Sequence, residues 1–292
     1  MTAVAASLSR ARLTSVGRSL FGVALLGLGL EHFIFLDFVT GRAQDWPSGV
    51  PGKMVWVYAS GAMIALTGLT ILVGRRGRSA ALGVGLMVFV WGFLRHLPIV
   101  AADSLLGGSW TRAGKALAIF GGCFAIAATL PPLSGETNWR RYANANDLLV
   151  LLGRIGLGSF LVVAGMQHFK FTVFAASLIP AWFPGDALWW VRFAGVALIA
   201  GGLGLLVPRT AALAGLLSGL MIFSWFWIVH LPRTFLSVSD GIALFEALAV
   251  SGIALVIAGH ERRPAPTARG AMTFPAQNLS ASDETRNEAL RP

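Results

Sequence analysis

Two histidines, each followed by phenylalanine, occupy corresponding places in the two halves of the chain. Glu31 and His32 stand near the end of one apolar segment, and Gln167 and His168 stand near the end of another. Imidazole accepts and returns a proton near neutral pH, and a neighbouring carboxylate can share that work. The predicted chemistry is therefore proton transfer, with His32, His168, Glu31 and Glu246 as the candidate catalytic residues.

A second pair of histidines, His96 and His230, each precedes Leu-Pro. Four histidines raise a metal or haem as an alternative, with His32, His96, His168 and His230 as its ligands. On straight helices, however, His32 and His96 differ in depth by about 6 Å, so the primary prediction contains no metal. A second alternative is that His96 and His230 merely cap their helices or reach the interface.

Charged and polar side chains form a layer at the depth of the first histidine pair. Lys115 and Glu246 occupy aligned positions and are predicted to pair with Glu31 and His168 respectively; in the alternative, Arg95, Lys170 or Arg192 supplies the partners. Tryptophans crowd the same side, where they form an interfacial belt or wall a flat ring. The predicted ligand-binding residues are Gln167, Lys115, His96, His230, Arg95 and Trp182.

The elements that must position these residues are membrane helices. The chain of 292 residues is 55% hydrophobic and 12% charged, with a mean hydropathy of +0.71. A soluble domain carries about twice that charge. Eight apolar segments long enough to span a bilayer are predicted near 18–38, 54–74, 79–100, 112–130, 148–171, 188–207, 210–230 and 241–259.

The two halves repeat one another. Gly22, Gly29 and His32 recur as Gly158, Gly165 and His168, at an offset of about 131 to 136 residues that is kept across four segments. The sequence therefore predicts an all-α membrane protein of about eight transmembrane helices, arranged as two four-helix bundles of parallel orientation that arose by internal duplication. The glycine stripe also fits a plain packing seam between helices.

Domain boundaries and orientation follow from polar segments and arginines. The first module is predicted at 1–131, a cytoplasmic linker at 132–147, the second module at 148–260 and a disordered cytoplasmic tail at 261–292. Arginine clusters at one membrane side place both termini in the cytoplasm of a bacterial-type inner membrane. The net charge of +10 is explained by these clusters, so nucleic acid is not expected as a partner, and Cys123, the only cysteine, excludes a disulfide.

The second half resembles the DoxX-like group of four-helix membrane proteins. The resemblance is carried by Gly158, Gly165 and His168, by Ile-Pro-Ala-Trp-Phe-Pro at 179–184 and by the glycine-rich segment 201–212. The first half departs from it at 37–51 and at 74–75. The resemblance implies a four-helix membrane fold, and some relatives are linked to thiosulfate and quinone oxidoreduction.

Three functions are open at this point. The first is a quinone-linked membrane redox component, such as an oxidoreductase subunit, with a periplasm-facing ligand pocket and an electron-transfer partner protein. The second is a transporter for a small solute or for protons, which the lack of ionisable residues in the inner halves of the segments disfavours. The third is a non-catalytic assembly or scaffold protein. The cofactor stays open, with quinone as the favoured candidate over haem or a metal, and the lipid bilayer is the expected surrounding.

Overall fold

A computed structural model of the chain describes residues 3–39, 46, 50–74, 76–103, 105–132, 139–236 and 240–260. The regular structure of these residues is entirely helical. The predicted tail at 261–292 and residues 133–138 of the predicted linker lie outside the described residues. The helices are α1 (Ala3–Phe35), α2 (Lys53–Val73), α3 (Gly77–Ala102), α4 (Gly108–Ala128), α5 (Trp139–Lys170), α6 (Thr172–Ala176), α7 (Ala187–Leu206), α8 (Ala211–Trp225), α9 (Leu231–Thr234) and α10 (Asp240–Gly259), with a π-helical turn at Phe226–His230.

Seven of the described helices are long and apolar enough to cross a membrane: α1, α2, α3, α5, α7, the stretch from α8 through α9, and α10. The fold is thus compatible with an integral membrane protein. The fourth predicted segment, α4, has 21 residues but is not among the seven. It carries Arg112 and Lys115 and several small polar residues, which lower its hydropathy. The number of spans predicted from sequence remains a prediction.

Helices α1, α2, α3, α4, α5, α7, α8 and α10 contact one another in this order, and α10 contacts α1. Each half therefore contacts the other at two interfaces in this ring. The most extensive interfaces join α4 to α5 and α1 to α10, and α1 also packs on α2 as α5 packs on α7. Close backbone approach makes this possible: a methyl group on Gly252 would lie 2.7 Å from the Gly17 carbonyl oxygen. At the corresponding seam, a methyl group on Gly153 would lie 3.0 Å from the Gly121 carbonyl oxygen. Because Met1–Glu261 form one compact unit, the division into two bundles stays a prediction.

The glycine stripes of α1 and α5 do pack against neighbouring helices. A methyl group on Gly158 would lie 2.9 Å from the Gly202 carbonyl oxygen, and one on Gly165 would lie 2.7 Å from that of Gly195. Small residues at these positions let helix backbones meet. The packing role predicted for the stripe is confirmed, and it fixes the rotation of each helix and so the direction of the histidine that follows.

Arginines close one end of the helix assembly. The Arg78 guanidinium donates to the Ala127 carbonyl at 2.8 Å, Arg18 donates to the Thr129 carbonyl at 3.1 Å, and Arg154 donates to the Leu205 carbonyl at 2.7 Å. Each bond satisfies a carbonyl that a helix end leaves without an intrahelical partner. Above these arginines lies a solid apolar core that includes the fully buried side chains of Phe21 and Ile253.

Candidate functional site

An interior cavity of about 120 Å³ lies among α1, α2, α3 and α4, with one residue of α10 in its wall. Five of the residues singled out from sequence line it. They are His32, Arg95, His96, Lys115 and Glu246. We call this space the first-half cavity. Gly92 and His96 lie on the same face of α3, since both line this cavity.

His32 reaches the cavity from α1 and is only 4% exposed. Its Nδ1 lies 2.8 Å from the Leu28 carbonyl oxygen, which can only accept, so Nδ1 carries the proton. In the neutral ring, Nε2 is then a hydrogen-bond acceptor. Gly61 of α2 makes room for the side chain, since a methyl group there would lie 2.6 Å from the His32 Cβ. The packing seam and the histidine site are thus parts of one arrangement.

His96 reaches the same cavity from α3 and is 6% exposed. Its Nδ1 is buried and has no hydrogen-bond partner among the described residues. Most buried polar atoms in proteins are paired, so an orphaned ring nitrogen beside a cavity requires an explanation such as water or a ligand. His96 is therefore more deeply placed than its position just before Leu-Pro indicated.

Lys115 of α4 forms an ion pair with Glu246 of α10. The side chains are 31% and 16% exposed, so the pair is partly desolvated. The predicted pairs, Glu31 with Lys115 and His168 with Glu246, are wrong in partner, although the depth assigned to Lys115 and Glu246 was right. The pairing fails because each half was expected to close on itself, whereas α4 and α10 meet between the halves.

Two aromatic rings, Phe38 and Trp91, line the first-half cavity, and Trp46 and Trp56 pack against them. Phe38 stacks on Trp46 at 5.7 Å between centroids, and Trp91 lies 5.8 Å from Phe38 and 5.9 Å from Trp56. The Arg95 guanidinium lies 5.0 Å from the centroid of Phe38. Such a cation over a ring face is favourable. Phe38 lies in the segment where the first half departs from the DoxX-like pattern, so the resemblance gave no signal for it.

The second half holds its histidine differently. His168 Nδ1 donates to the Ala164 carbonyl at 2.7 Å, as His32 does to Leu28. The ring then stacks on Trp225, with centroids 6.2 Å apart and planes at 29°. Trp225 corresponds to Trp91, and Phe226 corresponds to Gly92. His168 is not among the residues that line the first-half cavity.

The other predicted site residues lie elsewhere. Gln167 fastens α5 to the start of α4, where it accepts from Thr111 Oγ1 at 2.7 Å and donates to the Gly107 carbonyl at 2.8 Å. His230 ends the π-helical turn and is half-buried. Trp182 is 65% exposed and packs edge-on against Phe183. None of these three lines the first-half cavity.

The shared-metal alternative finds no support in the geometry. Within the described part of the chain, which includes all four histidines concerned, no three histidine, cysteine, aspartate or glutamate side chains gather as a metal site requires. Sequence reasoning also missed Ser60, a buried polar residue of α2 that lines the cavity. The sequence does contain a signal for Ser60, because it places a hydroxyl side chain within an apolar segment.

Comparison with known proteins gives one match. A protein-family model described as a domain of unknown function (DUF8561) matches residues 157–241, from the middle of α5 to the start of α10. No curated protein and no solved structure matches the chain. The matched stretch contains His168, Trp182 and His230 and omits every residue that lines the first-half cavity.

Proposed function

We propose that this protein is a membrane receptor for a small anion, which it binds in the first-half cavity. The single observation that carries this proposal is the orphaned Nδ1 of His96, a residue that lines the first-half cavity. A ligand that accepts or donates a hydrogen bond there would remove the cost of leaving that nitrogen unpaired. His32 supplies a second imidazole on the same space.

Charge favours an anion. Of the residues that line the cavity, Arg95 and Lys115 are cationic and Glu246 is anionic, while the bond to Leu28 suits a neutral His32. The lining side chains alone therefore carry one positive charge more than negative, and Asp37, outside the lining, acts electrostatically on Arg95 and His32 and reduces this surplus. Two imidazoles that can take up a proton let the site bind an acid together with its proton, which links binding to proton transfer.

Size favours a ligand of few atoms. The cavity holds about 120 Å³, whereas an apolar cavity of about 150 Å³ is the one known to accept benzene. A substituted ring with a tail exceeds this space unless the aromatic wall moves. A carboxylate of three or four heavy atoms, with water, fits it without such movement.

Histidine nitrogen resonances would test the proposal. The chain has five histidines, so labelling with ¹⁵N-histidine and assignment by substitution give a readable spectrum in detergent or nanodiscs. Formate is expected to shift the His96 and His32 nitrogens in a saturable manner, while formamide, of equal size but uncharged, shifts them less. An equal response to both compounds would refute the preference for an anion. Unchanged His96 nitrogens at saturating formate would refute the site itself.

A quinone-linked redox component is the second candidate, in keeping with the DoxX-like resemblance. The cluster of Phe38, Trp46, Trp56 and Trp91 beside two histidines is the observation that favours it, since aromatic faces stack on flat rings. In this case the aromatic wall must open to admit the ring. An optical spectrum and mass analysis of lipids extracted from the purified protein would distinguish the two candidates, because only this one requires a retained quinone or haem.

Transport across the membrane has less support than either candidate. Phe21 and Ile253 are fully buried in the apolar core towards the arginine-capped end, where a path would need polar side chains. A scaffold role needs no cavity and does not account for the unpaired His96 nitrogen.

We also propose that both termini are cytoplasmic and that the first-half cavity lies towards the periplasm. The arginines that cap helix ends gather at the end of the protein that the positive-inside rule assigns to the cytoplasm. In a Cys123→Ser background, a cysteine placed at Ala143 should be labelled only from the cytoplasmic side and one at Ser177 only from the periplasmic side. Labelling of both from one side would refute this orientation.

A further inference from the structure

A second depression opens between α1 and α10, outside the first-half cavity. Its volume is about 360 Å³, and its walls include the apolar side chains of Leu30, Ile34, Leu244 and Phe245. Leu30 and Ile34 are exposed, so this side of the protein faces lipid when the helices span a bilayer. The volume falls within the range of about 300 to 1,000 Å³ that small-molecule sites occupy. We call it the α1/α10 groove.

One ionisable residue lines this apolar groove. Glu31 is only 5% exposed, and its Oε2 is buried without a hydrogen-bond partner among the residues that the structure describes. Its Oε1 faces the backbone of Gly241, where an added methyl group would lie 2.9 Å away. A carboxyl group held in apolar surroundings without a donor is costly. The arrangement calls for a hydrogen-bond donor.

The charges nearby decide which donor suits the groove. Glu246 acts on Glu31 by electrostatic repulsion and is itself paired with Lys115, so an acidic headgroup would meet unfavourable potential. Thr234 is a polar but uncharged neighbour in the lining. A neutral hydroxyl on a hydrocarbon chain satisfies both conditions, because the hydroxyl donates to the carboxyl and the chain covers the exposed leucine and isoleucine.

We propose that the α1/α10 groove binds a membrane-dissolved amphiphile whose neutral hydroxyl donates a hydrogen bond to Glu31 and whose hydrocarbon chain lies along Leu30 and Ile34. Glu31 and His32 are neighbours in sequence but line different spaces, one outside the helix assembly and one inside. The proposal for the groove can therefore be tested independently of the anion site in the first-half cavity.

Photolabelling in a reconstituted bilayer tests this assignment. The probes are a long-chain primary alcohol carrying a diazirine in its chain and the methyl ether of the same alcohol, each incorporated at low mole fraction into phosphatidylcholine nanodiscs. Mass spectrometry then maps labelled peptides of α1 and α10. The alcohol is expected to label the groove about five-fold more than the ether, the preference that one net hydrogen bond confers.

Two variants separate the hydrogen bond from simple lipid contact. Glu31→Leu should reduce the ratio of alcohol to ether labelling to about one, whereas Glu31→Gln, which keeps an acceptor oxygen, should retain most of the preference. Equal labelling of the wild-type groove by both probes would overturn the proposal, because it would leave only bilayer chains as occupants. If Glu31→Leu fails to fold, competition in the wild-type protein decides, since unlabelled alcohol must displace the probe where unlabelled ether does not.

Discussion

The two halves of the molecule carry a histidine and a tryptophan at corresponding positions, yet they differ in what surrounds the histidine. In the first half, Gly92 leaves a space beside His32, and Trp91 lies with Phe38. In the second half, Phe226 takes the place of Gly92, and Trp225 covers His168. At this position the first half has a glycine that lines a cavity, whereas the second half has a bulky aromatic ring.

The third helices differ in path as well as in side chains. α3 runs without interruption past Pro98, whereas its counterpart changes into a π-helical turn at Phe226–His230 before α9. Phe226 stacks on Phe223 at 5.9 Å and meets Trp227 edge-on, so bulky rings crowd this turn. Under the proposed function, the second half acts as a structural support and the first half holds the ligand site.

The largest expected effect concerns the two seams that join the halves. Gly252→Leu forces a side chain against the Gly17 carbonyl, and Gly121→Leu forces one against the Leu152 carbonyl, 2.5 Å from the position of an added methyl group. Backbone atoms cannot move aside as the end of a flexible side chain can. We therefore expect both variants to give much less folded protein than the wild type. Fluorescence-detected size-exclusion chromatography provides the measurement.

Gly83→Leu is the matched control for those seam variants. An added methyl group at Gly83 meets no atom within 4 Å among the described residues, so this variant should elute like the wild type. If Gly252→Leu folds normally while Gly121→Leu does not, the two seams are not equivalent, and the comparison of the halves loses its basis.

The ion pair between the halves should give the next largest effect. Lys115→Leu or Glu246→Leu alone leaves a partly buried charge without its partner and should cost about 2 to 3 kcal/mol, less than the cost for a fully buried pair. The double variant should cost clearly less than the sum. Unfolding by SDS titration, followed by tryptophan fluorescence, measures the three free energies.

The exposed pair of Lys53 and Asp37, at 3.0 Å, serves as the control, and its removal should cost less than about 1 kcal/mol. Additive losses for Lys115 and Glu246 would show that the two side chains do not interact. In that case the ion pair does not contribute to holding the halves together.

Sequence reasoning supplied the helical elements and much of the first-half cavity, but not the partners across helices. Apolar length and charge depletion identify helices, and counting residues from a helix end gives depth, which placed Lys115 and Glu246 in one layer. Depth does not specify which helices are neighbours. The contact of α4 with α10 depends on how the two halves pack against each other. The residues around Glu31 and His168 in the sequence carry no information about that packing.

The first-half cavity depends on Gly92, whose counterpart in the second half is Phe226. The sequence shows this difference but not that Gly92 borders a cavity. Gly92→Val should fill much of the first-half cavity while costing little stability, because an added methyl group would lie an ordinary 3.5 Å from the Ala116 Cβ. The formate response of His96 should disappear, and the free energy of unfolding should change by less than about 1 kcal/mol. A preserved response would mean that formate binds outside this cavity.

The smallest expected effect on formate binding is at His168, and it tests whether the second half is only a support. Phenylalanine keeps the ring that stacks on Trp225 and loses the bond from Nδ1 to the Ala164 carbonyl. His168→Phe should therefore cost about 1 kcal/mol and leave the formate response of His96 unchanged. His32→Phe loses the equivalent bond to Leu28 at a similar cost in stability, but it also removes an imidazole from the cavity wall and should weaken formate binding. Equal stability losses with unequal binding would separate the support from the site; weakened binding in both variants would show that the second half takes part in recognition.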